Sequence, residues 1–177
     1  MFHHKVLSSK KILPSNLFSV SRLQVEVKPG VVHEHDVVER HDTISVFPIT
    51  PDNEVYLVRQ FRYNFDKITL ESMSGFVDSG ETPLVAAKRE LKEETGISAR
   101  QWKNFNNYHL AASVITTTNH LFLATDLELG TAQPMEDEEI EVVKFPLEAA
   151  VEKVLSGEID HSSTMIGLLM LGKITKA

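Results

Sequence analysis

Residues 75–97 read Gly75-Phe76-Val77-Asp78-Ser79-Gly80-Glu81, then Thr82-Pro83-Leu84-Val85-Ala86-Ala87-Lys88, then Arg89-Glu90-Leu91-Lys92-Glu93-Glu94-Thr95-Gly96-Ile97. The first part is a glycine-rich loop. Thr82 has the hydroxyl of an N-cap, Pro83 suits the first helical position, and Gly96 suits the left-handed residue just past a helix end. The spacing predicts a helix over Pro83–Thr95, roughly 20 Å long. At about 100° per residue, Leu84, Ala87 and Leu91 form its buried stripe. Glu90 and Glu94 then project from one exposed face, with Glu93 beside them and Ala86 small enough to leave room. Like charges four apart destabilise a helix by about a few tenths of a kcal/mol. Hard oxygen ligands gathered around Mg²⁺ or Mn²⁺ would remove that repulsion. A solvated acidic face is the other reading of the helix alone. Arg89, four residues before Glu93, can hold one carboxylate by a bidentate bond.

The rest of the chain sets the frame. Its 177 residues are 42% hydrophobic and 24% charged, which is globular usage for one domain with an appendage. Lys plus Arg is 18 against 25 Asp plus Glu, a net charge of −7. That balance argues against nucleic acid and against an anionic membrane surface as partner. The absence of cysteine excludes disulfide scaffolds, thiolate metal sites and cysteine nucleophiles. The longest apolar stretch, Met165 to Leu171, is far short of the roughly 20 residues that span a bilayer. No secretory h-region is visible at the N-terminus, so a cytoplasmic protein is expected.

Two parts are expected, 1–41 and 42–177. Phe18 to Val27 and Val31 to Val38 flank Lys28-Pro29-Gly30 and read as an antiparallel hairpin. A hairpin needs a surface to pack on. Its own domain and a second subunit both qualify. Thr43 to Ile49 and Val55 to Phe61, about the turn Pro51-Asp52-Asn53, read as a second hairpin. Leu110 to Val114, His120 to Ala124 and Glu139 to Phe145 read as strands. Leu147 to Ser156 and Thr164 to Lys173 read as helices, the latter with Ile166, Leu169 and Met170 on its apolar face. This interleaving argues for an α/β sandwich of mixed sheet with flanking helices.

The full pattern over 75–97 is Gly, five residues, Glu, seven residues, then Arg-Glu-apolar-any-Glu-Glu-any-Gly-apolar. It resembles the signature of the Nudix hydrolases at every fixed position, a match expected by chance on the order of 1 in 10⁷ for such a chain. The resemblance implies the Nudix fold, an α/β/α arrangement with a mixed β-sheet sandwiched between helices, here carrying a small N-terminal antiparallel β extension. It also implies divalent-metal hydrolysis of a nucleoside diphosphate linked to another group.

Further segments resemble the ADP-ribose and nucleoside-diphosphate-sugar pyrophosphatase branch. Leu57-Val58-Arg59-Gln60-Phe61-Arg62-Tyr63 is similar to a strand whose arginines meet the substrate. Glu71-Ser72-Met73-Ser74-Gly75 is similar to the branch's Glu-x-Pro-Ala-Gly lead-in, with Met73 and Ser74 departing from Pro and Ala. Glu136-Asp137-Glu138-Glu139 resembles its acidic loop, and Leu155-Ser156-Gly157-Glu158-Ile159 its C-terminal part. The stretch Ala111 to Asn119 lacks the proline and glycine of many ADP-ribose enzymes, which leaves room for GDP-mannose or related sugars.

The resemblance therefore implies metal ligation by Glu90, Glu93, Glu94, the Ser74 carbonyl and Glu138, with Mg²⁺ or Mn²⁺ as cofactor. It implies catalytic roles for Glu138, Glu93 and Arg89, and substrate contact by Arg59, Arg62, Glu71 and Phe76. Other readings stay open: Arg59 and Arg62 as surface partners of Asp66 or Glu71, Glu71 as a strand-end carboxylate, and Glu136 or Glu139 in place of Glu138. Three functions are weighed: a nucleotide-sugar pyrophosphatase, a catalytically silent ADP-ribose-binding module, and a nucleoside triphosphate pyrophosphohydrolase. A homodimer through the N-terminal strands is expected from the same resemblance.

Overall fold

The computed structural model describes residues 3–132 and 139–174. The chain forms two compact units, one of residues up to Asp42 with Tyr108–Thr118, the other of Thr43–Asn107 with Asn119 onward.

The first unit holds a four-stranded sheet in the order β1 (Lys5–Pro14), β2 (Ser19–Lys28), β3 (Val31–Glu39) and β9 (Ile115–Thr116). β2 and β3 make the expected hairpin, with Val20 opposite Val38 and Leu23 opposite His35. The Arg22 guanidinium grips Asp36 across it, Nε to Oδ1 at 2.7 Å and Nη2 to Oδ2 at 2.8 Å. Strand β1 has no counterpart in the sequence reading. Its residues are exposed along the whole length, so no alternating pattern marks it, and pairing with β2 makes it a strand.

The second unit carries two sheets. One runs β7 (Met73–Phe76), β4 (Thr43–Pro48), β10 (Thr118–Glu128), β8 (Ser98–His109); the other runs β11 (Ile140–Pro146), β5 (Glu54–Arg62), β6 (Lys67–Glu71). β4 is buried over its whole length and lies parallel to β10, Ile44 beside His120 and Val46 beside Phe122. Helix α1 (Pro83–Thr95) packs on β7 and β4. α2 (Leu147–Leu155) packs on β5 and β11, and α3 (Ser162–Ile174) on β4 and α2. The core beneath α1 is Ile44, Val46, Met73, Ala86, Ala87, Leu91, Ile97 and Phe122. This is the expected mixed-sheet α/β architecture. No helix among the described residues is long and apolar enough to cross a membrane.

Several expectations change. β4 and β5 are not a hairpin: they belong to different sheets and share only the bridge Ile49–Val55, because the Pro51–Asn53 turn carries the chain around a corner. Leu110–Val114 is a turn, closed by the Val114 N–H on the Ala111 carbonyl at 2.8 Å, with Ala111 at φ 40°. The buried stripe of α1 is Ala86, Ala87, Leu91, Glu94 and Thr95, and Leu84 faces solvent. Helix α3 buries Ser163, Thr164, Gly167, Leu168 and Leu171, while Leu169 is exposed. In both helices periodicity gave the pitch, but the neighbouring strands chose the face.

Candidate active site

The loop and helix over 75–97 form as their caps require. Thr82 Oγ1 accepts the Val85 N–H at 3.4 Å, Pro83 opens the helix, and Gly96 at φ 73° returns its N–H to the Lys92 carbonyl at 2.8 Å. Ahead of the helix, Glu81 closes the loop by accepting the Asp78 N–H at 3.2 Å.

Arg89 organises the carboxylates. Its Nε and Nη2 grip Glu81 bidentately, at 3.2 and 3.1 Å, rather than Glu93 as the helix spacing suggested. Nη1 donates to Glu90 at 2.6 Å and Glu93 at 3.2 Å, and Nη2 also reaches the Phe76 carbonyl at 3.0 Å. This partner set raises the Arg89 pKa, the Glu81 bonds contributing most, and the Arg89 bonds hold the Glu81 carboxyl below its ordinary range.

The expected exposure of the two outer glutamates does not hold. The Glu94 residue is 7% exposed and the Glu90 side chain 15%. Both lean onto the backbone of β7: the Ser74 N–H donates to Glu94 Oε1 at 3.4 Å, and Glu90 covers Gly75 so closely that a Cβ there would stand 1.9 Å from Oε1. Ser74, Phe76, Arg89, Glu90, Glu93 and Glu94 thus gather where β7 meets α1.

The remaining sequence-selected residues lie elsewhere. Arg62 makes a fork-to-fork pair with Glu71, Nε to Oε1 at 2.8 Å and Nη2 to Oε2 at 2.7 Å; the Glu71 side chain is 1% exposed. Burial pushes the Glu71 carboxyl up, but the Arg62 bonds, His161 and the Thr69 hydroxyl outweigh it and hold the pKa low. Arg59 reaches Glu141 at 3.2 Å, an exposed pair at an open cleft of about 320 Å³ lined also by Phe61, Ile68 and Glu139. Glu138 and Glu136 lie outside the described residues. His161, just ahead of α3, and Thr164, in its first turn, approach Glu71 and Ser72 and were not singled out by the sequence; no local pattern marks them.

The carboxylate oxygens gathered near α1 are hard donors of the kind that suit a divalent cation. As placed, no three acidic or imidazole groups among the described residues converge into a ready-made ion site. Here the carboxylates of Glu81, Glu90 and Glu93 are drawn onto the single Arg89 guanidinium instead. One cation against three carboxylates leaves negative charge for a divalent ion to neutralise, so the residues present fit such an ion.

A carboxylate-bearing helix entered through a glycine-rich loop and laid on a mixed sheet is the arrangement that the resemblance to Nudix hydrolases implied. The family model described as NUDIX domain matches residues 39–165, and the chain belongs to the Nudix hydrolase family. It is similar to a GDP-mannose pyrophosphatase of Salmonella typhimurium, 31% identical over 90% of this chain and 91% of that one. It is also similar to an ADP-ribose pyrophosphatase of Bacillus subtilis, 26% identical over 94% of this chain and 91% of that one. A solved structure described as an ADP compounds hydrolase shares the fold, with a TM-score of 0.83, 23% identity and coverage of 98% and 94%.

Proposed function

We propose that this chain hydrolyses the pyrophosphate of a nucleoside diphosphate sugar, giving a nucleoside monophosphate and a sugar phosphate. Water supplies the new P–O bond as the bridging P–O bond breaks. The observation that carries the reading is the Arg89-centred carboxylate set against the Ser74–Gly75 backbone. It is supported by the names of two relatives that align with nearly the whole chain.

Glu90, Glu93, Glu94, the Ser74 carbonyl and Glu138 would hold Mg²⁺, with Mn²⁺ as substitute. Bound there, the ion neutralises pyrophosphate charge and lowers the pKa of a coordinated water. The chain's own residues do the rest. Arg89 keeps Glu81, Glu90 and Glu93 in place. Arg62 and Arg59 offer cationic donors to the phosphates. Glu71 holds the Arg62 fork, and Phe76 anchors Arg89 through its carbonyl. Glu138 orients the attacking water and takes its proton.

The test is a panel of ADP-ribose, GDP-mannose, other nucleotide sugars and nucleoside triphosphates with Mg²⁺, products identified by mass. Turnover of a nucleotide sugar to two monophosphates is expected. Binding of ADP-ribose without turnover would instead make the chain a sensor, and release of pyrophosphate from triphosphates would move it to another branch. Comparison of Glu136→Gln, Glu138→Gln and Glu139→Gln assigns the base, the largest kcat defect being expected at 138. We further propose a homodimer formed through the N-terminal sheet.

A further inference from the structure

Between β6 and β7 the chain passes from one sheet to the other. Glu71 pairs with Val58 in the first ladder and Met73 with Val46 in the second, so Ser72 lies in neither. Its N–H goes instead to α3, donating to Thr164 Oγ1 at 2.8 Å; the two hydroxyls stand 3.3 Å apart. Thr164 Oγ1 is also 2.9 Å from His161 Nδ1, and the other ring nitrogen, Nε2, is 3.5 Å from Glu71 Oε2. Glu71 Oε2 receives Arg62 Nη2, while Oε1 receives Arg62 Nε and, at 2.5 Å, the Thr69 hydroxyl.

The two ring nitrogens face groups of different character. A neutral imidazole carries one N–H, and the Glu71 carboxylate only accepts. In the neutral ring with its proton on Nε2, that N–H faces Glu71 and Nδ1 accepts from the Thr164 hydroxyl. Burial, the largest influence on His161, favours the neutral form, while the nearby Glu71 opposes it.

A carboxylate turns freely about its last torsion, which has broad, two-fold minima. The Arg62 fork needs that plane held edge-on to keep both bonds. The Thr69 hydroxyl bonds one oxygen, and beside the Arg62 bond on the other the His161 ring stands with Nε2 at 3.5 Å, a polar contact longer than a hydrogen bond.

We propose that His161 is a positioning residue for Arg62, acting through the Glu71 carboxylate. The inference rests on the reading of Arg62 as a substrate-binding residue. The Arg62 side chain is 39% exposed while two of its nitrogens engage Glu71, so it is anchored at one edge and reachable by solvent-borne phosphate. His161 and Thr164 also tie α3 to the step at Ser72 that leads into Ser74 and Gly75.

The test measures kcat and KM for ADP-ribose with saturating Mg²⁺ in His161→Leu, His161→Gln, Arg62→Lys and the Arg62→Lys/His161→Leu double variant. Leu removes the donor; Gln places an amide N–H near the position of Nε2. Loss of an interaction made equally in ground and transition states raises KM and spares kcat, so His161→Leu should raise KM about tenfold with kcat within about twofold. His161→Gln should return KM to near wild type. Arg62→Lys should raise KM, and the double variant should be no worse than Arg62→Lys. An unchanged KM in His161→Leu, a Gln variant as defective as Leu, or multiplied defects in the double variant overturns the proposal while leaving Arg62 in its role. An unchanged KM in Arg62→Lys removes Arg62 from the site, and the proposal with it. Should the Leu variant not fold, His161→Asn replaces it, since Asn keeps an acceptor for Thr164 and is too short to reach Glu71.

Discussion

The carboxylate of Glu90 rests on the backbone of Gly75, so close that a methyl group on that glycine would stand 1.9 Å from Oε1. The strand thereby acts as a template for one of the box acids. The glycine matters here for the space it leaves.

Gly75→Ala tests this contact directly. The added methyl must push Glu90 away from β7, and a displacement of about 1 Å at a reacting centre costs up to about a hundredfold in rate. We expect kcat to fall by at least about tenfold while the thermal midpoint changes little, because Glu90 is the far end of a flexible side chain. Wild-type turnover in the folded variant would mean that Glu90 takes no part in the chemistry.

Neutralising the acids gives a second expectation. In Glu94→Gln the amide oxygen can still accept from the Ser74 N–H, so the fold is retained and only the charge is lost. In Glu90→Gln the amide oxygen can likewise still accept from Arg89 Nη1, with the charge removed. Each should lower kcat by at least about a hundredfold and weaken Mn²⁺ binding measured by titration calorimetry. If either variant binds Mn²⁺ as tightly as wild type, that glutamate is no ligand.

How much of this was readable beforehand follows from where each signal resides. The caps of α1 are local, so Thr82, Pro83 and Gly96 set its ends from sequence alone. The burial of Glu94 is not local: it depends on Ser74 lying across the helix, and a helical wheel carries no information about neighbours. The Arg89 fork on Glu81 joins the loop to the helix and was hidden behind the nearer spacing to Glu93. Arg62 with Glu71 was legible as one of two open readings, and the structure makes that pair. His161 meets Glu71 only once α3 has docked, and no spacing could announce it.

Acid should erode stability in two windows. The folded His161 has its pKa pushed below its ordinary 6.5, chiefly by burial. The unfolded chain therefore binds that proton first, and stability drops as pH falls from about 6.5 toward the folded value. Folded Glu71 is held below its ordinary 4.5, because the Arg62 bonds and their neighbours outweigh the burial that would raise it. Its contribution is complete above about 4.5 and is lost as pH falls through the folded value. The thermal midpoint should thus hold steady above about pH 7 and decline in both windows. His161→Gln should flatten the first decline and Glu71→Gln reduce the second. A midpoint that rises between pH 7 and 5.5 would contradict the assignment.

The last expectation concerns assembly. Strand β1 is the edge of its sheet, ten residues long and exposed throughout, with Val6, Leu7, Ile12 and Leu13 each more than 40% accessible. Leu17 and Phe18, between β1 and β2, are exposed as well. Lys5, Lys10 and Lys11 lie in the same strand, where lysine ordinarily discourages edge pairing. A long edge strand that keeps four large apolar side chains in water is nevertheless an invitation to a second chain, and a copy of this one is always present at equal concentration. Light scattering at micromolar concentration should give twice the 19.9 kDa of the chain. Ile12→Glu with Leu13→Glu should halve that mass, since two charges on the face would have to be buried unpaired. A monomer for the wild-type chain ends the dimer proposal. A dimer that survives both glutamates would move the interface away from β1.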